Sequence, residues 1–173
     1  MTPLRTITLT GVAMLAFAAN SLLCRLALQQ ASIDPASFAS VRLASGALML
    51  ALIVRWRLQP AAPTAAQPDW LAATMLWAYV ACFSFAYLTL AAGTGALILF
   101  GAVQMTMFGV GLHAGERFTA LAWAGLALAV AGLLYLVSPG LAAPDPLGAA
   151  LMAAAGIAWG VYSLRGRRTS TPL

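Results

Sequence analysis

The sequence predicts an all-α integral membrane protein, because charged residues are scarce, apolar residues are abundant and the apolar residues fall into six long runs. Hydrophobic residues make up 62% of the 173-residue chain and charged residues only 8%. A soluble globular domain carries about 25% charged residues. This chain has too few charges to cover a surface that faces water, so we expect a lipid bilayer to surround it.

The six apolar runs are each close to the roughly 20 residues with which a helix crosses the hydrocarbon core. The predicted transmembrane helices are Ile7–Leu28, Ala36–Val54, Trp70–Leu90, Gly95–Leu112, Phe118–Val137 and Leu147–Leu164.

The segments between these runs carry helix-start and turn signals. Asp34 and Asp145 each precede a proline, which is the arrangement of an N-cap residue followed by proline in the first helical turn. They predict the starts of the second and sixth helices. The stretch Gln59–Asp69 is a Pro- and Ala-rich polar connector, and the short turn at 91–95 makes the third and fourth helices antiparallel neighbours.

The arginines predict the orientation in the membrane. If the six helices cross the membrane in alternation, the N-terminus, the second–third connector, the fourth–fifth connector and the C-terminal tail lie on one side. The loops on the opposite side contain no arginine. The arginines on the first side are Arg5, Arg55, Arg57, Arg117, Arg165, Arg167 and Arg168. Because cytoplasmic loops are enriched in basic residues, we expect both termini in the cytoplasm and a multi-pass protein of the inner (plasma) membrane. The arginines form no contiguous basic patch, which argues against a nucleic-acid partner.

Two predicted helices carry ridges of small residues, which allow close helix–helix contact in lipid. Such a ridge is compatible with static packing and with a rocking interface. The ridges are Ala122, Gly125, Ala129 and Gly132 in the fifth helix, and Ala149, Ala153, Gly156 and Gly160 in the sixth.

Three segments, IDPASFASVRLASGALML, GALILFGAVQMTMFGVGLHAGERFT and GLALAVAGLLYL, resemble EamA-type transporters of the drug/metabolite transporter (DMT) superfamily. The resemblance covers essentially the whole chain. It implies the first half of a ten-helix protein made of two five-helix repeats, which exports or exchanges small metabolites by alternating access. Residues 1–140 are then the first repeat, and residues 141–173 are the first helix of the second repeat and a truncated central connector.

A weak internal similarity agrees with this division. The segment FAANSLLCR (17–25) resembles IAWGVYSLR (157–165), and the match pairs Arg25 with Arg165. It falls where a second repeat would begin. An odd number of helices in each repeat inverts the two copies in the bilayer, as in many transporters.

Arg42 is the first candidate for substrate binding. It lies about two turns inside the second helix, and its helical neighbours Ala39, Ser45 and Gly46 are small or polar. Because a charge in mid-bilayer costs several kcal/mol, the guanidinium either snorkels to the interface or faces a wet cavity. In a cavity it would attract an anionic or zwitterionic solute.

Five further residues complete the candidate set. Asn20, Tyr79 and Gln104 lie near the middle of their helices and are candidate substrate-binding residues, with ordinary interhelical hydrogen bonds as the alternative. Arg25 and Glu116 are gate or structural candidates. Glu116 is expected at the start of the fifth helix, where the helix dipole favours a negative charge.

The sequence therefore favours a secondary transporter, or permease, for small polar metabolites or drugs, with no cofactor or metal. The alternative is a non-transporting truncated product or an assembly component of a membrane complex. A missing second half or a homodimer would supply further helices. An enzyme is not expected, because no histidine or acid can be placed beside the intramembrane serines.

Overall fold

The computed structural model describes residues 3–29, 33–57, 68–137 and 143–167. Within these ranges the chain forms six α-helices and no strand. The helices are α1 (Pro3–Gln29), α2 (Pro35–Arg57), α3 (Trp70–Ala86), α4 (Ala92–His113), α5 (Ala120–Val137) and α6 (Pro146–Gly166).

The all-helical class and the six helices are confirmed. Four of them, α1, α2, α4 and α6, are long and apolar enough to cross a membrane, whereas α3 and α5 are shorter apolar helices. The third helix ends at Ala86 and not at Leu90, because residues 87–90 form a turn. Of the predicted connector Gln59–Asp69, residues 59–67 lie outside the described residues. Arg168, one of the arginines used to predict the orientation, also lies outside them.

The predicted helix starts are confirmed at both Asp–Pro pairs. Asp145 is the N-cap of α6, and its carboxylate accepts a hydrogen bond from the backbone N–H of Gly148 at 2.7 Å. Asp34 accepts from the N–H of Ser37 at 2.9 Å before α2. These side chains satisfy N–H groups that the first helical turn leaves without partners.

Helix α6 packs against both α3 and α4, and its small residues make this close approach possible. A Cβ at Gly156 would lie 2.6 Å from the Cβ of Ala102 and 2.6 Å from the carbonyl oxygen of Leu99, both on α4. The ridge on α6 is therefore a packing face. On α5, by contrast, a Cβ at Gly125 or Gly132 would meet no atom within 4 Å in the described chain.

The most deeply buried side chains lie where α3, α4 and α6 meet. Phe83, Tyr87, Leu90 and Met152 are at most 1% exposed. The Tyr87 ring packs edge-on against Phe83, with ring centroids 4.8 Å apart. Gly95 leaves room for the Tyr87 ring at the start of α4, because a Cβ there would lie 2.6 Å from a ring carbon. This core fixes the tight turn between α3 and α4.

Polar contacts join α6 to α3 or its adjoining turn at both ends. At one end the Arg165 guanidinium donates two hydrogen bonds to the carboxylate of Asp69, the N-cap of α3, at 3.0 and 3.2 Å. At the other end the Thr89 hydroxyl, just beyond α3, donates to Asp145 at 3.1 Å. Both connections run between the N-terminal end of one helix and the C-terminal end of the other, so α3 and α6 are antiparallel.

Candidate ligand-binding groove

A groove with a volume of about 430 Å³ lies between α1, α2, α3 and α6. Its lining is mainly apolar and aromatic, with only a few polar groups, which is the usual character of a small-molecule site. The lining residues are Ala13, Ala16, Phe17, Asn20, Arg42, Leu76, Tyr79, Val80 and Trp159.

Arg42 is the one cation among these lining residues, and its guanidinium packs against aromatic rings. Its guanidinium carbon lies 5.0 Å from the ring centre of Phe83 and 5.7 Å from that of Phe38. Arg42 also interacts electrostatically with Tyr79 and Cys24. Its Nη1 atom is buried and has no hydrogen-bond partner among the residues that the structure describes.

The rings of Trp159, Tyr79 and Phe17 form an aromatic wall of the same groove. Trp159 of α6 lies against Tyr79 with ring centroids 4.8 Å apart, and Phe17 of α1 meets the Trp159 ring edge-on at 6.4 Å. Tyr79 is 6% exposed, and Asn20 interacts with its hydroxyl. The groove thus combines a flat apolar surface with a hydroxyl, an amide and a guanidinium.

Three of the four predicted substrate-binding residues, Arg42, Asn20 and Tyr79, line this groove, and the fourth does not. Gln104 lines a separate apolar groove of about 450 Å³ between α4 and α5. Gln104 lies in the other groove because of the rotation of α4 about its axis. The face of α4 that packs on α6 carries Ala102 and Val103, whereas Gln104 is exposed on another face.

Arg25 is tied to the backbone outside the groove. Its guanidinium donates to the carbonyl oxygens of Tyr87, at 3.3 Å, and of Leu90. These carbonyls belong to the turn that follows α3, where the helix leaves acceptors without intrahelical partners. Arg25 therefore joins α1 to the α3–α4 turn.

Glu116 does not lie in the first turn of α5, as the sequence led us to expect, since α5 begins at Ala120. Instead it follows the end of α4, where Gly115 has a φ of 82° and the N–H of Glu116 donates to the carbonyl oxygen of Gly111 at 2.9 Å. This is the helix-ending arrangement in which glycine adopts the left-handed conformation. With Leu164 and Arg167, Glu116 lines a small pocket of about 230 Å³.

Two carboxylates at helix starts are held in the charged form. Hydrogen bonds from Arg165 hold the pKa of the Asp69 carboxyl below its usual value of 3.8. Hydrogen bonds from Ser37 lower the pKa of Asp34 in the same way. Both groups are solvent-exposed, so they remain ionised at neutral pH.

Sequence reasoning missed Trp159, Phe17 and Phe83 as parts of the site. Aromatic residues in apolar helices are usually packing or interface residues, so their type gave no signal. The weak match of 157–165 to 17–25 contained both Phe17 and Trp159, and it was the one signal that joined the two helices.

Among curated proteins, the chain is similar to an uncharacterised protein of Pseudomonas aeruginosa. The two are 53% identical over 169 residues, which make up 98% of this chain and 58% of the relative. The chain thus spans less than two thirds of the relative, whose length is about 290 residues by the same proportions. No protein-family model matches the chain, and no solved structure matches it.

Proposed function

We propose that this chain forms part of a secondary membrane transporter that exports or exchanges a small anionic or zwitterionic metabolite. The observation that carries the proposal is the groove beside Arg42, where a buried guanidinium nitrogen has no partner among the described residues. An ionisable side chain inside an apolar helix is costly and commonly marks a solute pathway. A metabolite with a negative group would supply the missing partner.

The membrane setting is part of the same proposal. The six apolar helices cross the bilayer in alternation, including the two shorter ones, and both termini lie in the cytoplasm. Asp69 and Arg165 lie together at one end of the bundle, as this topology requires. The opposite end holds Asp145 and Thr89, joined by a hydrogen bond.

Membership of the EamA-type transporters is proposed on three grounds. The first is the sequence resemblance described above. The second is that Arg25 and Arg165, which the internal match pairs, contact opposite ends of α3, as expected for inverted copies. The third is the length of the relative, which exceeds the matched segment by about 120 residues, enough for four further helices of roughly 20 residues with connectors.

The mechanism that we propose is alternating access around the groove. Helix α6 makes the most extensive contacts of the bundle, with α3 and α4, and the shared core also includes Cys24 and Leu28 of α1 and Ala39 of α2. Helices α1 and α2 contribute Phe17, Asn20 and Arg42 from the other side of the groove. A rocking movement of α1 and α2 against α3, α4 and α6 would expose the groove to one side of the membrane and then to the other.

Flux measurements test the proposal. The gene is first sequenced beyond codon 173, and the product of the whole reading frame is reconstituted in liposomes. We expect counterflow of at least one radiolabelled anionic or zwitterionic metabolite, and we expect Arg42→Gln to reduce it at least tenfold while Arg55→Gln does not. Absence of counterflow across a broad panel would contradict the transporter and favour the alternative, an assembly component without transport activity.

A further inference from the structure

We infer that the groove beside Arg42 selects an organic monocarboxylate with an apolar or aromatic body, in preference to zwitterions, cations and neutral analogues. The inference rests on the proposed function, since it names the solute class of the same site. It follows from how the guanidinium is held, from where the acidic residues lie and from the shape of the aromatic wall.

The guanidinium of Arg42 contacts two aromatic rings and interacts with Tyr79 and Cys24, and Nη1 is its buried nitrogen without a partner in the described chain. Phe83 and Phe38 lie within 5.0 and 5.7 Å of the guanidinium carbon, close enough for cation–π contact. Such contacts use the charge but no N–H donor. Nη1 keeps its donors unused within the described chain. The N–H groups of Nη1 can therefore donate a charge-assisted hydrogen bond to a carboxylate oxygen, which is stronger than a bond to a neutral acceptor.

Among the described residues, no carboxylate accompanies Arg42 in the groove. All four acidic residues lie outside the helices, and the structure describes each of them. They are Asp34, Asp69, Glu116 and Asp145. An ammonium group in the groove would therefore meet no anionic partner among the described residues and would lie near the positive charge of Arg42. This arrangement favours a simple carboxylate over an amino acid.

The rest of the groove fits an apolar body. Trp159 and Phe17 supply apolar surface, and Tyr79 continues this wall. Burial of ligand surface against these rings adds hydrophobic and stacking contributions that depend little on ligand charge. The charge of Arg42 therefore discriminates between ligands of different charge, and the aromatic wall contributes binding affinity that ligands with the same apolar body share.

A matched ligand series tests the inference. The product of the whole reading frame is purified into nanodiscs, and binding is measured by calorimetry at pH 7 for phenylacetate, phenylacetamide, phenethylamine and phenylalanine. These compounds share one ring and differ in charge. We expect phenylacetate to bind roughly tenfold or more tightly than phenylacetamide and phenethylamine, because only the anion forms charge-assisted bonds with Arg42. We expect phenylalanine to bind severalfold more weakly than phenylacetate.

Two variants assign the selectivity to Arg42. In Arg42→Gln the ratio of phenylacetamide to phenylacetate dissociation constants should fall to about 1, because the amide side chain carries no charge. Arg55→Gln removes the same charge from an exposed site on α2 and should leave the ratio unchanged. Circular dichroism checks that both variants keep their helices, and the ligand series on the unaltered chain decides the question if Arg42→Gln does not fold.

The inference is overturned if phenylacetamide or phenylalanine binds as tightly as phenylacetate. It is also overturned if none of the four binds while the reconstituted protein still transports another solute, and in that case the proposed transport survives. Tight phenylacetate binding without any counterflow supports the inference and contradicts transport.

Discussion

The contact between α4 and α6 at Gly156 is the most sharply defined target for substitution. Replacing Gly156 with alanine would place a Cβ at 2.6 Å from both the Cβ of Ala102 and the carbonyl oxygen of Leu99, and at 3.3 Å from the backbone nitrogen of Val103. Carbon atoms in good contact lie about 3.5–4.0 Å apart. Because two of these three neighbours are backbone atoms, they cannot rotate out of the way.

The helices must therefore separate by about 1 Å at this point, and the contacts above and below Gly156 loosen with them. Overpacking of this kind destabilises by about 1–3 kcal/mol. Gly125→Ala on α5 is the matched control, since a Cβ there meets nothing within 4 Å in the described chain. Both variants share the helix-propensity gain of up to about 1 kcal/mol, so their difference isolates the steric cost.

Unfolding in mixed micelles is the assay. The purified variants are titrated from a mild detergent into sodium dodecyl sulfate, and helix content is followed by circular dichroism. We expect Gly156→Ala to be less stable than Gly125→Ala by about 1–3 kcal/mol. Equal stability of the two variants would show that α4 and α6 are not in close contact at Gly156 and would refute the packing described above.

Three further predictions concern single side chains. Arg25→Ala should destabilise the protein by about 1.5–3 kcal/mol, because it removes charged hydrogen bonds to the turn after α3, but should preserve the carboxylate preference; loss of that preference would contradict its structural role. The Asp69–Arg165 pair should contribute stability fully above pH 3.8 and lose it as the pH falls through the lowered pKa of Asp69. Melting curves should therefore show a smaller loss on acidification for Asp69→Asn than for the unaltered chain, and equal losses would argue against the pair. Gln104→Leu should change phenylacetate affinity less than about twofold, because Gln104 lines the other groove. A tenfold loss of affinity in calorimetry would contradict the assignment of Gln104 to a separate groove.

Composition and helix-start signals were enough to locate all six helices. Asp34 and Asp145 fixed two starts because side-chain capping is a local interaction, which neighbouring residues in the sequence determine. The end of α3 was misplaced by four residues because Tyr87, Leu88 and Leu90 are as apolar as the helix itself. The helix ends there because Tyr87 and Leu90 are buried against other helices. A hydropathy profile carries no information about such contacts between helices.

The candidate site was only partly predictable, for a similar reason. Arg42 was identifiable because a cation in an apolar run is costly wherever it lies. Asn20 and Tyr79 were grouped with Arg42 only because of their depth, since each lies near the middle of its helix. Depth could not separate them from Gln104, because the rotation of each helix about its axis decides which groove a side chain enters. Weak hydrophobic periodicity in these helices gives almost no information about that rotation.

Accessibility of single cysteines in intact cells is the most direct test of the membrane arrangement on which the proposed function depends. Cys24 and Cys82 are replaced by alanine, and a single cysteine is introduced at Ala143, before α6, or at Thr119, before α5, both of which are exposed. A maleimide that cannot cross the membrane is added to spheroplasts. We predict labelling at residue 143 in intact spheroplasts and at residue 119 only after permeabilisation. Labelling of both in intact spheroplasts, or the reverse pattern, would contradict the account.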